Sequence, residues 1–203
     1  MTQTASAGNR WADHYTRKAK QDGYAARSVY KLEEIQAHHR ILRPGDRVLD
    51  LGCAPGSWLV LAARIVGPQG SVVGLDLKPV TIALPAQVRT LVADLRDPES
   101  VLGQTGPEGF DVVLSDMAPA TTGNRTTDAA RSLELAMAAL ATARNRLKPG
   151  GCFVCKIFQG PDAKAFEVAV RRIFRETRLF KPQSSRKASR EIFIIGKGKR
   201  QEE

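Results

Sequence analysis

Residues 47–51 (RVLDL) run without a break into Gly52-Cys53-Ala54-Pro55-Gly56-Ser57-Trp58, and this junction constrains the fold more than any other stretch. A short run rich in Val and Leu reads as a buried strand, and the Gly/Pro turn stops it. Trp58, Leu61, Ala62 and Ile65 then recur at i, i+3, i+4 and i+7, the spacing of one helix face. The same alternation returns along the chain. Strand patterns at 71–75, 89–92 and 112–114 each end at or near an aspartate, and residues 130–147 read as a helix. Lys148-Pro149-Gly150-Gly151 stops that helix and opens the apolar run 152–158. Asp162 is the expected cap of a further helix with Phe166, Ala169, Val170 and Ile173 on one face. Strands at 178–180 and 191–195, joined by the basic loop 181–190, complete the chain. Repeated strand–helix alternation predicts an α/β fold, a parallel sheet with helices on both faces.

Ligands of such sheets bind beyond the carboxyl ends of the strands, so the residues there decide what is bound. Gly52 and Gly56 would let a ligand approach the backbone closely. A dinucleotide loop, G-x-G-x-x-G, needs a middle glycine to admit pyrophosphate; here Cys53, Ala54 and Pro55 stand between the two glycines. Asp76, at the end of VVGLD, can accept from both hydroxyls of a ribose. Asp94, in LVAD, can accept from an adenine amino group. The ligand these residues imply is a nucleoside without phosphates, which counts against a nicotinamide-dependent oxidoreductase on the same kind of sheet.

A chain of 203 residues fits one domain that buries roughly 70% of its unfolded surface. Net charge is +10, unevenly spread. Residues 1–47 carry nine basic against five acidic residues, 48–147 eight against ten, and 148–203 fourteen against six. Two basic flanks around a neutral-to-acidic centre suit a protein that encloses a small ligand while its ends hold a polyanion. No apolar run approaches the roughly 20 residues that cross a membrane. The first dozen residues lack the apolar stretch of a secretory signal, and the three cysteines cannot all pair within one chain, which points to a reducing cytoplasm.

Taken together, DLGCAPGSW, GLDL, ADLRD, LSDMAP, KPGGCFVCKIFQG and SSRKASREIFII resemble the FtsJ-type ribose 2′-O-methyltransferases of RNA over nearly the whole chain. KQDGYAARSVYKLEEI resembles the first helix of the bacterial members that methylate a uridine ribose in large-subunit ribosomal RNA. The resemblance implies a Rossmann-like class I methyltransferase: a mostly parallel seven-stranded sheet with a terminal antiparallel strand. It divides the chain into a basic arm with the start of the first helix (1–30) and one methyltransferase domain (31–203). It also implies S-adenosylmethionine as methyl donor and a Lys–Asp–Lys–Glu tetrad, which falls on Lys31 (SVYKL), Asp116 (LSDMAP), Lys156 (FVCKIF) and Glu191 (SREIF). Gly52, Gly56, Trp58, Asp76, Asp94 and Asp116 fall at positions expected to contact the donor. The implied partner is ribosomal RNA, within the large subunit, for an enzyme acting as a monomer. A related subgroup that acts on transfer RNA, and a ribosome-binding factor without catalysis, are the alternatives.

The chemistry supports the same four residues. A ribose hydroxyl ionises far above neutral pH, so an enzyme must align it with the methyl donor and help its proton leave. Alignment can supply roughly 7–11 kcal/mol, and general-base assistance about 10²–10⁴-fold. A lysine is a base only as the neutral amine, which partial burial and a second ammonium favour. Lys156 is the expected base and Lys31 the second ammonium, with Asp116 holding the Lys156 amine and Glu191 orienting Lys31 and the ribose. Each has a plainer reading: a solvated helix lysine, a turn cap, a strand-edge ion pair. Lys156 resists it most, because a lysine inside an apolar strand is seldom buried without a paired charge.

Cys152 and Cys155 have C-x-x-C spacing, but residues three apart on a strand point to opposite faces. With His14, His38 and His39 standing apart from any cysteine or acidic cluster, no metal is expected. Trp11, Tyr15, Tyr24 and Tyr30 interleave with Arg10, Arg17, Lys18, Lys20 and Arg27. They could stack on bases and hold phosphates, or pack the arm on its own domain.

Overall fold

The computed structural model describes residues 7–94, 108–160, 162–186 and 188–201, with side chains from residue 14 onward. Leu95, Arg96 and Asp97 of the ADLRD motif, Lys187, and the side chains of Arg10 and Trp11 lie outside the described residues.

Two helices, α1 (Ala7–Gln21) and α2 (Val29–His39), precede the first strand, β1 (Arg47–Leu51). The chain continues through α3 (Ser57–Val66), β2 (Ser71–Asp76), β3 (Val88–Val92) and β4 (Phe110–Ser115). It ends with α4 (Arg125–Arg146), β5 (Leu147–Phe158), α5 (Ala163–Ile173), β6 (Phe174–Phe180) and β7 (Glu191–Lys199). The strands form one seven-stranded sheet in the order β3-β2-β1-β4-β5-β7-β6. All neighbours are parallel except β7, which runs antiparallel to both β5 and β6. The last strand of the chain is thus inserted between two others.

Alternation along each strand divides the core in two. Val48, Val72, Leu114, Val154, Phe193 and Ile195 face α2 and α3, and Ala19 and Tyr24 join them. Leu49, Leu75, Val113, Phe153, Cys155 and Ile194 face α4 and α5. Cys152 packs with the first group and Cys155 with the second, so the C-x-x-C pair is split across the sheet. All three cysteines are free thiols, and burial pushes Cys155 up to about 12.

The differences from the expected elements are local. Helix α4 begins at Arg125 rather than near 130, because Asn124 accepts from the Thr126 and Thr127 amides and caps the extra turn. Asp162 occupies the N-cap position of α5, yet its side chain makes no cap hydrogen bond. Phe110 pairs with Leu147 and Val112 with Cys152, so Lys148–Gly151 bulges out of β5 instead of separating helix from strand.

Candidate active site

Strand order reverses between β1 and β4, since the chain moves outward from β1 to β3 and returns on the other side. A crevice at their carboxyl ends is the expected ligand site. Ladder register brings the tetrad there. Ser115 pairs with Cys155, which sets the following residues, Asp116 and Lys156, side by side. Lys156 pairs with Phe193, and Glu191, two residues earlier on β7, projects to the same face. Lys31 reaches that face from α2, whose Val29, Leu32 and Ile35 pack onto it.

Four residues distant in sequence therefore form one cluster. Lys156 Nζ lies 2.9 Å from Asp116 Oδ1 and 3.9 Å from Glu191 Oε1. Lys31 Nζ lies 2.9 Å from Glu191 Oε2 and 3.7 Å from Asp116 Oδ1. Each carboxylate faces both ammoniums. Lys31 donates a hydrogen bond to Glu191, whereas Lys156 donates to the backbone carbonyl of Asp116. The contact between Lys156 and the Asp116 carboxylate is accordingly an ion pair, with Oδ1 accepting no aligned hydrogen bond. Both lysines are buried, at 6% and 5% exposure. Burial would raise the Glu191 carboxyl, but Lys31 and then Lys156 outweigh it and hold the group below its usual value. Desolvating four charges is poor economy for stability alone, and such clusters concentrate where charge is put to chemical use.

The glycine loop closes the crevice from the β1 side. Gly52 (φ 77°) and Gly56 (φ 111°) occupy left-handed backbone that other residues rarely adopt. A Cβ on Gly52 would stand 2.4 Å from Met117 Cγ, so the loop and the segment after β4 touch only because none is there. Asp76 Oδ2 accepts from the Ala54 amide at 2.9 Å and Oδ1 from the Lys78 amide at 2.9 Å. Each oxygen keeps a further lone pair. Asp94 follows β3 and is half-buried. The Trp58 indole is buried, 6.0 Å from the Phe193 ring, and Nε1 donates to the Ser28 carbonyl at 2.9 Å. That side chain packs the interior, and Trp58 stands in the first turn of α3, directly after the glycine loop.

Two residues inside the DLGCAPGSW motif have contacts that the motif alone does not announce. Ser57 Oγ accepts from the Ala26 amide at 2.7 Å, so Ser57 and Trp58 together strap the turn before α2 onto α3. Asp50, on the tetrad face of β1, is 1% exposed, and neither carboxylate oxygen has a hydrogen-bond partner. Burial, then the neighbouring Asp116 and Asp76 carboxylates, push it well above the ordinary aspartate range. A buried, partnerless carboxyl among further acids, under a close-approach glycine loop, fits a small cationic nucleoside; the donor expected from the sequence is one.

The raised Asp50 gives a pH test. Folded Asp50 keeps its proton where the unfolded chain has lost it, so its penalty grows as pH rises through the ordinary aspartate range. Asp50→Asn is expected to raise the thermal midpoint at neutral pH and to lose that advantage in acid. A difference independent of pH, measured by calorimetry from acid to neutral, would refute the protonated carboxyl.

The arm and the basic loop are partly structural. Tyr30 is buried and Tyr15 lies 5.3 Å from it, Tyr24 is buried in the α2–α3 core, and Lys18 pairs with Asp22 at 2.7 Å. These tyrosines pack the arm on its own domain. Arg190 donates to the Gln159 and Arg125 carbonyls, and the Glu34 carboxylate accepts from the Gln183 and Ser184 amides.

A seven-stranded sheet of this order, with acidic strand ends around a glycine loop, defines a class I methyltransferase. Residues 24–199 match the model of the FtsJ-like methyltransferases, and the chain belongs to that family. It is 54% identical over 192 residues to ribosomal RNA large subunit methyltransferase E of Desulforapulum autotrophicum, covering 95% of each chain. It is 52% identical over 203 residues to the protein of the same name from Desulfosudis oleivorans, covering 99% of this chain and 97% of that one. Two solved structures share the fold. One, from Plasmodium falciparum and described as a ribosomal RNA methyltransferase, has a TM-score of 0.74 at 24% identity, covering 87% of this chain and 98% of that one. The other, Aeropyrum pernix fibrillarin with natively bound S-adenosyl-L-methionine, has a TM-score of 0.61 at 21% identity, covering 77% and 68%.

Proposed function

We propose that this chain methylates the 2′-hydroxyl of a uridine ribose in large-subunit ribosomal RNA, with S-adenosylmethionine as donor. The observation that carries the chemistry is the convergence of Lys31, Asp116, Lys156 and Glu191 at the mouth of the glycine-loop crevice. The choice of RNA rests on the names of the relatives that match nearly end to end.

When bound, S-adenosylmethionine supplies a methyl group already activated on a sulfonium. The chain's own residues do the rest. Asp76 offers its remaining lone pairs to the ribose hydroxyls of the donor, and Asp94 accepts from the adenine amino group. Leu77 and Val92, exposed apolar side chains beside those two acids, give the base a surface to lie on. Asp116 puts negative potential where the donor's positive charge sits, and the partnerless Asp50 carboxyl stands near it. Lys156 Nζ is placed to take the proton of the target 2′-hydroxyl; the methyl group would pass to that oxygen as its bond to the donor sulfur breaks, leaving a neutral thioether. Asp116 holds the Lys156 Nζ at 2.9 Å, and Glu191 holds Lys31 at 2.9 Å, where its ammonium can meet the ribose. Four charges this close titrate as one system, so a pH–rate profile belongs to the cluster.

In this reading the enzyme works as a monomer in the cytoplasm, on RNA within the large subunit, without a metal. Incubation with labelled S-adenosylmethionine and undermethylated large subunits should place label on one uridine ribose. Label on a base, on transfer RNA, or nowhere would overturn the assignment.

A further inference from the structure

We propose that Arg190 is a positioning residue for methyl transfer: its guanidinium pins the end of β5 and the start of α4 to the start of β7, and so holds the Glu191 carboxylate between Lys31 and Lys156. The proposal rests on the methyl-transfer reading above and adds to it a residue that acts only through backbone.

Glu191 is the first residue of β7, and strand ends are where ladders open most readily. Its pairing partner, Phe158, is the last residue of β5. The ladder is nevertheless closed one step further out. The Gln159 amide donates to the Arg190 carbonyl at 2.7 Å, and Arg190 Nε and Nη2 both donate back to the Gln159 carbonyl, Nε at 3.1 Å. A guanidinium suits this role, because its planar fork offers donors in fixed directions. The Glu191 amide itself donates to Ser189 Oγ at 3.2 Å.

The same guanidinium reaches a third segment. Nη1 donates to the Arg125 carbonyl at 3.2 Å, in the first turn of α4. That turn anchors the loop that begins at Asp116: Asn124 caps it, and the Asp128 carboxylate accepts from the Thr122 amide and hydroxyl at 2.8 and 2.9 Å. Gly160 passes between α4 and Arg190, where a Cβ would stand 3.3 Å from Ala129 Cβ and 3.6 Å from Arg190 Nη2. Arg190 thus fastens the segments that run on from Asp116 and Lys156 to the strand that opens with Glu191.

These bonds go to carbonyls and not to carboxylates, so what they fix is backbone. The consequence falls on Glu191, whose two contacts are unequal. Lys31 at 2.9 Å is a hydrogen bond, whereas Lys156 at 3.9 Å is a looser ion pair. A shift of about 1 Å at the start of β7 would break the looser one and leave Glu191 to Lys31 alone. Misplacements of that size in an active site can cost on the order of 100-fold in rate.

The test uses the full chain with labelled S-adenosylmethionine and undermethylated large ribosomal subunits. Arg190→Met removes the donors and keeps the unbranched stem; Arg190→Lys keeps the charge without the fork. Both should lower kcat about ten- to a hundredfold. KM for subunits and donor affinity should stay within about twofold, and the pH–rate profile should shift, because it belongs to the coupled cluster. Ser132→Ala is the structural control. It deprives the Phe158 amide of its acceptor at 3.0 Å on the α4 side of the same strand end, and should lower the thermal midpoint while leaving the pH–rate profile in place. A parent-like kcat in the Met variant, whatever its thermal midpoint, would make Arg190 a stability element and overturn the proposal. A fall in kcat at an unmoved pH–rate profile would break the link to Glu191 and overturn it too. So would a raised KM with a flatter salt dependence of subunit binding, or full rescue by lysine, since either would make the charge itself the active feature. If the Met variant does not fold, the Lys variant decides by the same criteria. Failure of the unaltered protein to label large subunits would overturn the methyl-transfer reading together with the role of Arg190.

Discussion

Lys156→Ala is expected to lower kcat by about 10²–10⁴-fold, the usual worth of a general base, while donor affinity stays within a few-fold. The geometry makes this separable from collapse of the site. Lys31 remains 2.9 Å from Glu191 and 3.7 Å from Asp116, so neither carboxylate loses its last cation. Asp50, Asp76 and the glycine loop, expected to hold the donor, gain no contact and lose none from the truncation. Lys156→Arg sharpens the result. It preserves the positive charge against Asp116, but a guanidinium does not give up its proton near neutral pH. If Lys156 is the base, the Arg variant should be nearly as slow as the Ala variant. An Arg variant with most of the parent rate would make Lys156 an electrostatic element only, and another group would have to take the proton.

The strand ends were legible because parallel strands buried on both faces read as apolar runs, and those runs stop at Asp or Gly. Arg47–Leu51 is read to the residue, and Asp76 does close β2. Convergence of the tetrad was legible only through resemblance, since nothing local says that Ser115 pairs with Cys155 or Lys156 with Phe193. Once register is known, period two accounts for it: Val154, Lys156, Phe193 and Glu191 share a face, and α2 lies on that face.

What stayed hidden depends on contacts between segments far apart in the chain. Arg190 reads as one more member of a basic loop, yet it is fixed on the backbone of Gln159 and Arg125. Glu34 looks like a solvated helix carboxylate, yet it caps two amides of a loop about 150 residues away. Asp50 sits inside a recognised motif, but only packing shows that its carboxyl has no partner. The start of α4 was a local miss, because the Asn124 cap lies in sequence and was outweighed by the stronger apolar periodicity further on.

Trp58 carries the largest expected effect on stability. Its position is one expected to contact the donor, and its indole joins three elements: it lies on Phe193 of β7, belongs to α3, and donates to Ser28 just before α2. Trp58→Ala should cost about 3–5 kcal/mol, as for other large aromatics removed from a core. At roughly 2–4 °C per kcal/mol for a chain of this length, the thermal midpoint should fall on the order of 10 °C. Trp58→Phe separates packing from strapping. It keeps most of the apolar contact and loses the hydrogen bond to Ser28, a loss of about 1 kcal/mol or somewhat more if the carbonyl stays buried. The turn that aims Lys31 would then be held by Ser57 alone. Methyl transfer by the Phe variant should therefore fall further than its stability or its donor affinity. Equal and small changes in all three would show that Trp58 only fills space, and that Lys31 is positioned by the packing of α2 itself.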